Sequence, residues 1–132
     1  MCNYECYEQK LKNLNITEKQ KSFLDRLDEA INKHVNENET ELTAIATTLN
    51  LHPSKLRRDI KAATGITPSH YISFKRFGKV LEMMRESTHY SMAEIAERCG
   101  FADHAHFTHS FRRMFDTTPL HYKKQWQLSQ IS

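Results

Sequence analysis

Residues 91–122, SMAEIAERCGFADHAHFTHSFRRMFDTTPLHY, have the clearest fold pattern in the chain. The first part of this stretch has apolar residues at the spacing of one helix face, namely Met92, Ile95, Ala96 and Cys99. Gly100 then breaks the helix, and Asp103 can cap a second helix whose apolar face is three phenylalanines, Phe107, Phe111 and Phe115. Helix, glycine turn and helix is the helix-turn-helix arrangement, so the stretch predicts a second helix that lies in a DNA groove.

Charge is unevenly distributed along the 132 residues, although the net charge is only +3. Residues 1–52 contain six basic and nine acidic side chains, whereas residues 53–124 contain thirteen basic and seven acidic ones. Basic charge therefore concentrates in the C-terminal part, as a phosphate-binding surface requires. A solvated basic face is the alternative interpretation, and charge alone does not decide between the two.

Composition indicates a helical domain inside the cell. No run approaches about 18 apolar residues and no signal peptide is evident, so we expect no membrane segment and a cytoplasmic location. Three glycines and three prolines argue against a turn-rich all-β fold. The cysteines Cys2, Cys6 and Cys99 fit a reducing compartment, and Cys99 is expected to be a core residue.

The N-terminal third predicts one long helix and one short helix. Residues 1–16 have loosely spaced apolar side chains, and we interpret them as a tail, a linker or a frayed helix. Thr17 and Gln20 form a capping-box pattern at the start of a helix over residues 17–36. A polar connection at 36–40 follows, and then a short helix. The apolar residues of that short helix are Leu42, Ile45, Ala46 and Leu49.

The rest of the chain divides at prolines and glycines. Pro53 opens a third helix that Gly65 ends, and Thr67-Pro68 starts a fourth helix that continues to about Glu86. This fourth helix spans roughly 28 Å and predicts a rigid linker. We therefore expect an all-α fold of about seven helices. Its parts are a tail or linker (1–16), a first helix-turn-helix subdomain (17–66), the linker helix (67–87), a second helix-turn-helix subdomain (88–127) and a tail (128–132).

The two subdomains match each other in sequence. Leu42–Ala46 aligns with Met92–Ala96 at an offset of 50. After the turn the offset is 51, so that Thr67-Pro68 aligns with Thr118-Pro119. Two helix-turn-helix units joined by one helix explain the repeat. A linker of roughly 28 Å between them suits two successive major-groove faces, which are about 34 Å apart.

These residues resemble the signature of the AraC/XylS family of regulators over about residues 23–124. In the second repeat the matching residues are Ile95-Ala96, Gly100-Phe101, Phe107, Phe111-Arg112, Phe115, Thr118-Pro119 and Tyr122. In the first repeat they are Leu56, Ile60-Lys61, Thr64-Gly65, Pro68, Tyr71 and Arg76. The chain departs from the family pattern at Asn50 and Asp116, where glycine is usual, and at Val80, where alanine is usual.

The resemblance implies a seven-helix DNA-binding domain that activates, or sometimes represses, bacterial transcription. Its implied partners are double-stranded DNA and RNA polymerase. Because members often carry a separate sensing domain, we expect either a short stand-alone regulator or the C-terminal portion of a longer protein with residues 1–16 as linker, and we favour the second. No cofactor is implied.

Exposed positions near the start of each recognition helix are the candidates for reading bases. In the first unit we predict Ser54, Arg57 and Arg58, because arginine can bind guanine O6 and N7 together. In the second unit the corresponding residues are His104, Ala105, Thr108 and His109. The resemblance implies arginine at the position of His109, so we expect the second unit to bind more weakly and with more pH dependence.

A further group of basic residues is predicted to contact phosphate: Lys55, Lys61, Arg76, Arg112 and Arg113. Arg112, Arg113 and the linker-helix residue Arg76 can each serve either phosphate or the interface between helices. Backbone N–H groups at the helix starts after Thr67, Asp103 and Thr118 are additional candidates.

Other classes of function are weakly supported. A metal site of His104, His106 and His109 lacks an HExxH pattern and has no cysteine near it in sequence. No glycine-rich phosphate loop or GxSxG motif indicates an enzyme. A small helical protein-interaction or metal-responsive module remains the alternative to a DNA-binding regulator.

Overall fold

The structure is a computed structural model that describes residues 3–34, 42–86, 90–101 and 103–131. Within these ranges the chain forms eight α-helices and no strand, which confirms the all-α prediction. They are α1 (Tyr4–Lys12), α2 (Glu18–His34), α3 (Leu42–Thr48), α4 (Pro53–Thr64), α5 (Pro68–Glu86), α6 (Met92–Arg98), α7 (His104–Phe115) and α8 (Pro119–Ile131). The predicted connection at 36–40 lies outside the described residues.

Local side-chain chemistry sets where helices begin. The Thr17 hydroxyl accepts the Gln20 N–H and the Gln20 side chain accepts the Thr17 N–H, both at 3.1 Å, which is the predicted capping box. Ser91 caps α6 in the same manner by accepting the Glu94 N–H at 3.1 Å. Because these caps satisfy N–H groups that a helix start leaves unpaired, they fix the first turns of α2 and α6.

The turn of each helix-turn-helix unit has the same backbone geometry. The Leu51 N–H donates to the Ala46 carbonyl at 2.9 Å, and the Phe101 N–H donates to the Ala96 carbonyl at 3.0 Å. The residues that take a left-handed conformation at these turns are Asn50 (φ 58°) and Gly100 (φ 83°). The internal repeat found in the sequence is therefore also a structural repeat.

Helix α5 forms the centre of the core. Phe77 is fully buried, and its ring lies 5.3 Å from that of Phe101, 5.9 Å from that of Phe111 and 5.6 Å from that of Phe115. Pairs of rings at such distances stabilise a core beyond the area that they bury. This aromatic cluster joins the linker helix to the second unit.

The two ends of the chain contain more helix than the sequence predicted. Residues 4–12 form a packed helix, where the sequence predicted a tail, a linker or a frayed helix, and Tyr7 is buried. Its partner Phe74 is distant in sequence, so no local pattern shows the contact. At the other end α8 continues to Ile131, beyond the predicted boundary at 127. None of the described helices is long and apolar enough to cross a membrane.

The described cysteines differ in state. Cys99 is a free, fully buried thiol, as predicted, and its Sγ lies 3.7 Å from Met83 Sδ. Burial raises the pKa of this thiol to about 11, so it stays protonated at neutral pH. Cys6 on α1 is disulfide-bonded.

Candidate nucleic-acid interface

Helix α4 turns one apolar face to the core and one polar face to solvent. Leu56 and Ile60 are fully buried, so the residues on the other side of the helix point outward. All five predicted contact residues on this helix are exposed: Ser54, Lys55, Arg57, Arg58 and Lys61. The His52 side chain caps the start of the helix by accepting the Ser54 N–H at 3.2 Å. The sequence did not predict this capping role.

Two of the cations on α4 already have partners. Lys55 Nζ forms an ion pair with Asp59 at 2.9 Å, and Lys61 Nζ donates to the Gly65 carbonyl at 3.0 Å, beyond the end of the helix. The side chains of Arg57 and Arg58 make no hydrogen bond or ion pair with any other described residue. Their guanidinium groups can therefore bind a base or a phosphate without first breaking a contact.

Helix α7 repeats this arrangement with a different charge distribution. Phe107 faces the core, whereas the predicted base-reading residues are exposed or, for Thr108, half-buried. Those residues are His104, Ala105, Thr108 and His109. Arg112 and Arg113 lie exposed in the last turn, where positive charge also stabilises the helix dipole. The formally charged side chains of α7 thus lie at its C-terminal end.

The start of α7 is occupied by a carboxylate. Asp103 Oδ1 accepts the His106 N–H at 2.7 Å, and a negative charge at this point repels a phosphate. At the start of α8 the acceptor is the neutral Thr118 hydroxyl, which bonds the His121 N–H at 3.2 Å. Of the predicted backbone phosphate sites, the one after Asp103 is therefore disfavoured.

A crevice of about 580 Å³ lies between α4 and α7 along one side of α5. Its polar lining comes from all three helices: Arg57, Ser69, Ser73, Arg76, His106 and Ser110. The three serines were not predicted as contact residues. Only the packing of the two units on the linker helix brings these side chains together, so no spacing in the sequence indicates the group.

Arg76 lies where the linker helix meets the second unit. Its guanidinium carbon is 5.2 Å from the centroid of the Phe101 ring, and its Nε is buried with no hydrogen-bond acceptor among the described residues. Desolvation by burial lowers the pKa of this side chain. Arg76 thus takes part in the interface between helices and also lines the crevice.

The histidines of α7 rest against the aromatic core. The His104 ring lies 6.2 Å from that of Phe107, and the His106 ring lies 6.0 Å from that of Phe101. In the described part of the chain, no three His, Cys, Asp or Glu side chains are grouped as a metal site requires.

Comparison with known proteins places this architecture in a family. A family model described as a helix-turn-helix domain matches residues 45–125. The transcriptional activators RhaS of Salmonella arizonae and Salmonella newport are each 42% identical to this chain over 76 residues. The match covers 58% of this chain and 27% of each activator, so the chain spans about a quarter of the length of these relatives.

Two solved structures share the fold. The C-terminal domain of AraT, a response regulator from Geobacillus stearothermophilus, superposes with a TM-score of 0.69 at 31% identity and covers 76% of this chain and 83% of that one. The DNA-binding domain of AdpA, solved in complex with a target DNA, has a TM-score of 0.68 at 22% identity and covers 80% of this chain and 96% of that one. The chain belongs to the AraC/XylS family of helix-turn-helix DNA-binding domains.

Proposed function

We propose that the chain is a sequence-specific transcriptional regulator that inserts α4 and α7 into adjacent segments of the major groove. The repeat is the observation that carries this proposal, because both units have the same turn hydrogen bond and both expose the polar face of their second helix. The linker helix α5 has 19 residues and is about 28 Å long. With the widths of the two units added, this length suits groove faces about 34 Å apart.

Sequence preference comes from the side chains near the start of each reading helix, α4 and α7. In α4 these are Ser54, Arg57 and Arg58, and in α7 they are His104, Ala105, Thr108 and His109. Arg57 is the strongest candidate, because its guanidinium has no partner among the described residues and arginine can bind guanine in bidentate fashion. Thr108 and Ala105 offer methyl groups that suit the methyl group of thymine.

Affinity comes mostly from contacts with phosphate. The residues proposed for it are Lys55, Lys61, Arg76, Arg112 and Arg113. The crevice between the reading helices supports a role for Arg76, since it adds three serine hydroxyls to the guanidinium groups of Arg57 and Arg76. Lys55 can leave Asp59 for a phosphate at a small cost, because an exposed ion pair contributes little stability, and the exposed Lys61 can likewise leave the Gly65 carbonyl.

The regulator is proposed to activate transcription rather than repress it, because the two RhaS proteins that it resembles are transcriptional activators. An activator bound at a promoter acts on RNA polymerase, which is therefore a proposed partner together with double-stranded DNA. A sensing domain outside this chain is the other proposed partner. We propose that the protein is located in the cytoplasm. We also propose that it has no enzymatic activity and needs no cofactor.

Selection of binding sites from a random duplex library tests the function. We expect a motif of two elements about 10 base pairs apart, one for each reading helix. Binding should weaken steeply with salt, by a log–log slope of about −0.9 for each phosphate that the protein neutralises. Retention that is neither sequence-selective nor salt-sensitive would contradict the proposal and favour a small helical protein-interaction module.

A further inference from the structure

Helix α1 contacts the linker helix and the second unit at the same time. The Tyr4 ring stacks on Phe74 of α5 at 4.6 Å and lies 5.1 Å from Phe115, the last residue of α7. Asn3 Nδ2 donates to Asp116 Oδ2 at 3.2 Å, immediately after that helix. The first turn of α1 therefore holds the C-terminal end of α7 against α5.

Tyr7 anchors α1 to the linker helix alone. Its ring lies 6.0 Å from Phe74 and 6.2 Å from His70, both on α5, and the side chain is only 6% exposed. In the described part of the chain, no ring contact joins Tyr7 to the second unit. Tyr7 thus fixes α1 in place, and Tyr4 extends the contact to α7.

The corresponding end of α4 is closed by its own unit. Thr64, which aligns with Phe115, is buried, and its hydroxyl accepts the Ile66 N–H at 3.0 Å. Gly65, which aligns with Asp116, takes a φ of 72° that suits glycine. The C-terminal end of α4 is therefore closed by residues of its own unit, whereas the C-terminal end of α7 packs against α1.

We propose that α1 positions the second reading helix relative to the first, and that it does so through Tyr4. The inference rests on the proposed function, since positioning matters to binding only if both helices read one duplex. Two readers on one chain gain affinity when their separation and rotation match two groove segments, and a loosely held second reader loses part of this gain. Tyr4 itself is a positioning residue and contacts no DNA in this scheme.

The first test compares spacing discrimination. Each variant is titrated by fluorescence anisotropy against the selected duplex and against the same duplex with one base pair inserted between its two elements, which rotates one element by about 35°. Wild type should bind the inserted duplex more weakly. Tyr4→Ala should lose about fivefold to twentyfold on the selected duplex and less on the inserted one, so that the ratio between them falls.

Two further variants separate positioning from stability. Tyr4→Phe keeps the ring contacts and should keep the wild-type ratio. Phe23→Ala removes a half-buried ring from α2 and should lower stability while the ratio stays unchanged. A Tyr4→Ala protein with an unchanged ratio, or a Phe23→Ala protein with an equal fall in the ratio, would overturn the proposal.

The second test uses the free protein. Backbone residual dipolar couplings of wild type should fit one alignment tensor for both units, whereas in Tyr4→Ala the couplings of α6 and α7 should shrink relative to those of α3 and α4. Unchanged relative couplings would contradict the positioning role. Because this measurement needs no DNA, it decides the role of α1 even if wild type selects no DNA site, a result that would count against the proposed function alone.

Discussion

The two helix-turn-helix units share a backbone plan and differ in the side chains that fill it. Inside, the first unit buries Leu56 and Ile60, whereas the second buries Phe107 and Phe111 against Phe77 of the linker helix. The turn hydrogen bonds of the two units are nevertheless the same within 0.1 Å, at 2.9 and 3.0 Å. The backbone bonds of this motif therefore tolerate the exchange of aliphatic for aromatic core residues in its second helix.

The outer faces differ just as clearly. The first unit presents Arg57 and Arg58 near the middle of its reading helix, where neither has a partner among the described residues. At the aligned positions the second unit presents Thr108 and His109. Since guanidinium binds phosphate and guanine more strongly than hydroxyl or imidazole does, we expect the first unit to supply most of the affinity.

The largest effect should come from the core of the second unit. Phe77→Ala removes a fully buried ring that packs on four others, and should lower the free energy of unfolding by about 3–5 kcal/mol. Urea unfolding measures the total, and amide exchange should show the main loss of protection in α6 and α7. Ile60→Ala is the matched control and should expose α3 and α4 instead. If both variants lose amide protection equally in all helices, the two units do not unfold separately and this prediction is wrong.

The next effect concerns base reading. Arg57→Ala should cost about 1–3 kcal/mol of DNA binding and relax the preference at one base position. Thr108→Ala, at the aligned position, should cost less than about 1 kcal/mol, because a methyl contact is weaker than a bidentate hydrogen bond. Site selection and anisotropy measure both, and Lys55→Ala serves as the control that weakens all sequences alike. If Arg57→Ala leaves the selected motif unchanged, Arg57 does not read a base.

A smaller effect should follow from exchanging the residues after the two reading helices. Both take a left-handed conformation, with a φ of 72° at Gly65 and 60° at Asp116. Gly65→Asp should destabilise the fold by about 1 kcal/mol, because only glycine adopts this conformation without strain. Asp116→Gly should change stability by less, since relief of strain is offset by loss of the hydrogen bond from Asn3. Urea midpoints test this order, and a larger loss for Asp116→Gly would reverse it.

The sequence predicted most of what is local and periodic. Gly65 and Gly100 lie where the sequence predicted helix ends, Asn50 and Asp116 lie where the family pattern has glycine, and all four have a positive φ. The apolar faces and the caps at Thr17 and Ser91 follow the same short-range rules. Within a helix or a turn, the residues that decide the conformation are near neighbours, so one sequence contains the needed information.

The contacts between distant parts of the chain were not predictable. Tyr4 looks like a loosely spaced residue of a tail, because its partners Phe74 and Phe115 are far along the chain. Gly78 is a poor residue for a helix interior, and it lies beside Tyr4 of α1. A Cβ added at Gly78 would lie 3.4 Å from the Tyr4 hydroxyl oxygen. The crevice on α5 is likewise formed by side chains that no periodicity groups.

The smallest effect should come from making the second unit resemble the first. His109 is exposed and aligns with Arg58, so His109→Arg adds a permanent cation at a position of α7 that we propose faces the groove. DNA binding should tighten by about twofold to threefold, and the log–log salt slope should steepen by about one contact.

The pH dependence provides the sharper comparison. The sequence predicts a more pH-dependent second unit, because histidine stands where arginine is usual, so the His109→Arg protein should show a smaller pH response of DNA binding than wild type. Arg58→His is the mirror variant and should weaken binding while adding pH dependence to the first unit. If His109→Arg alters neither the salt slope nor the pH response, residue 109 does not face the phosphates, and the difference between the units lies in Arg57 and Thr108 instead.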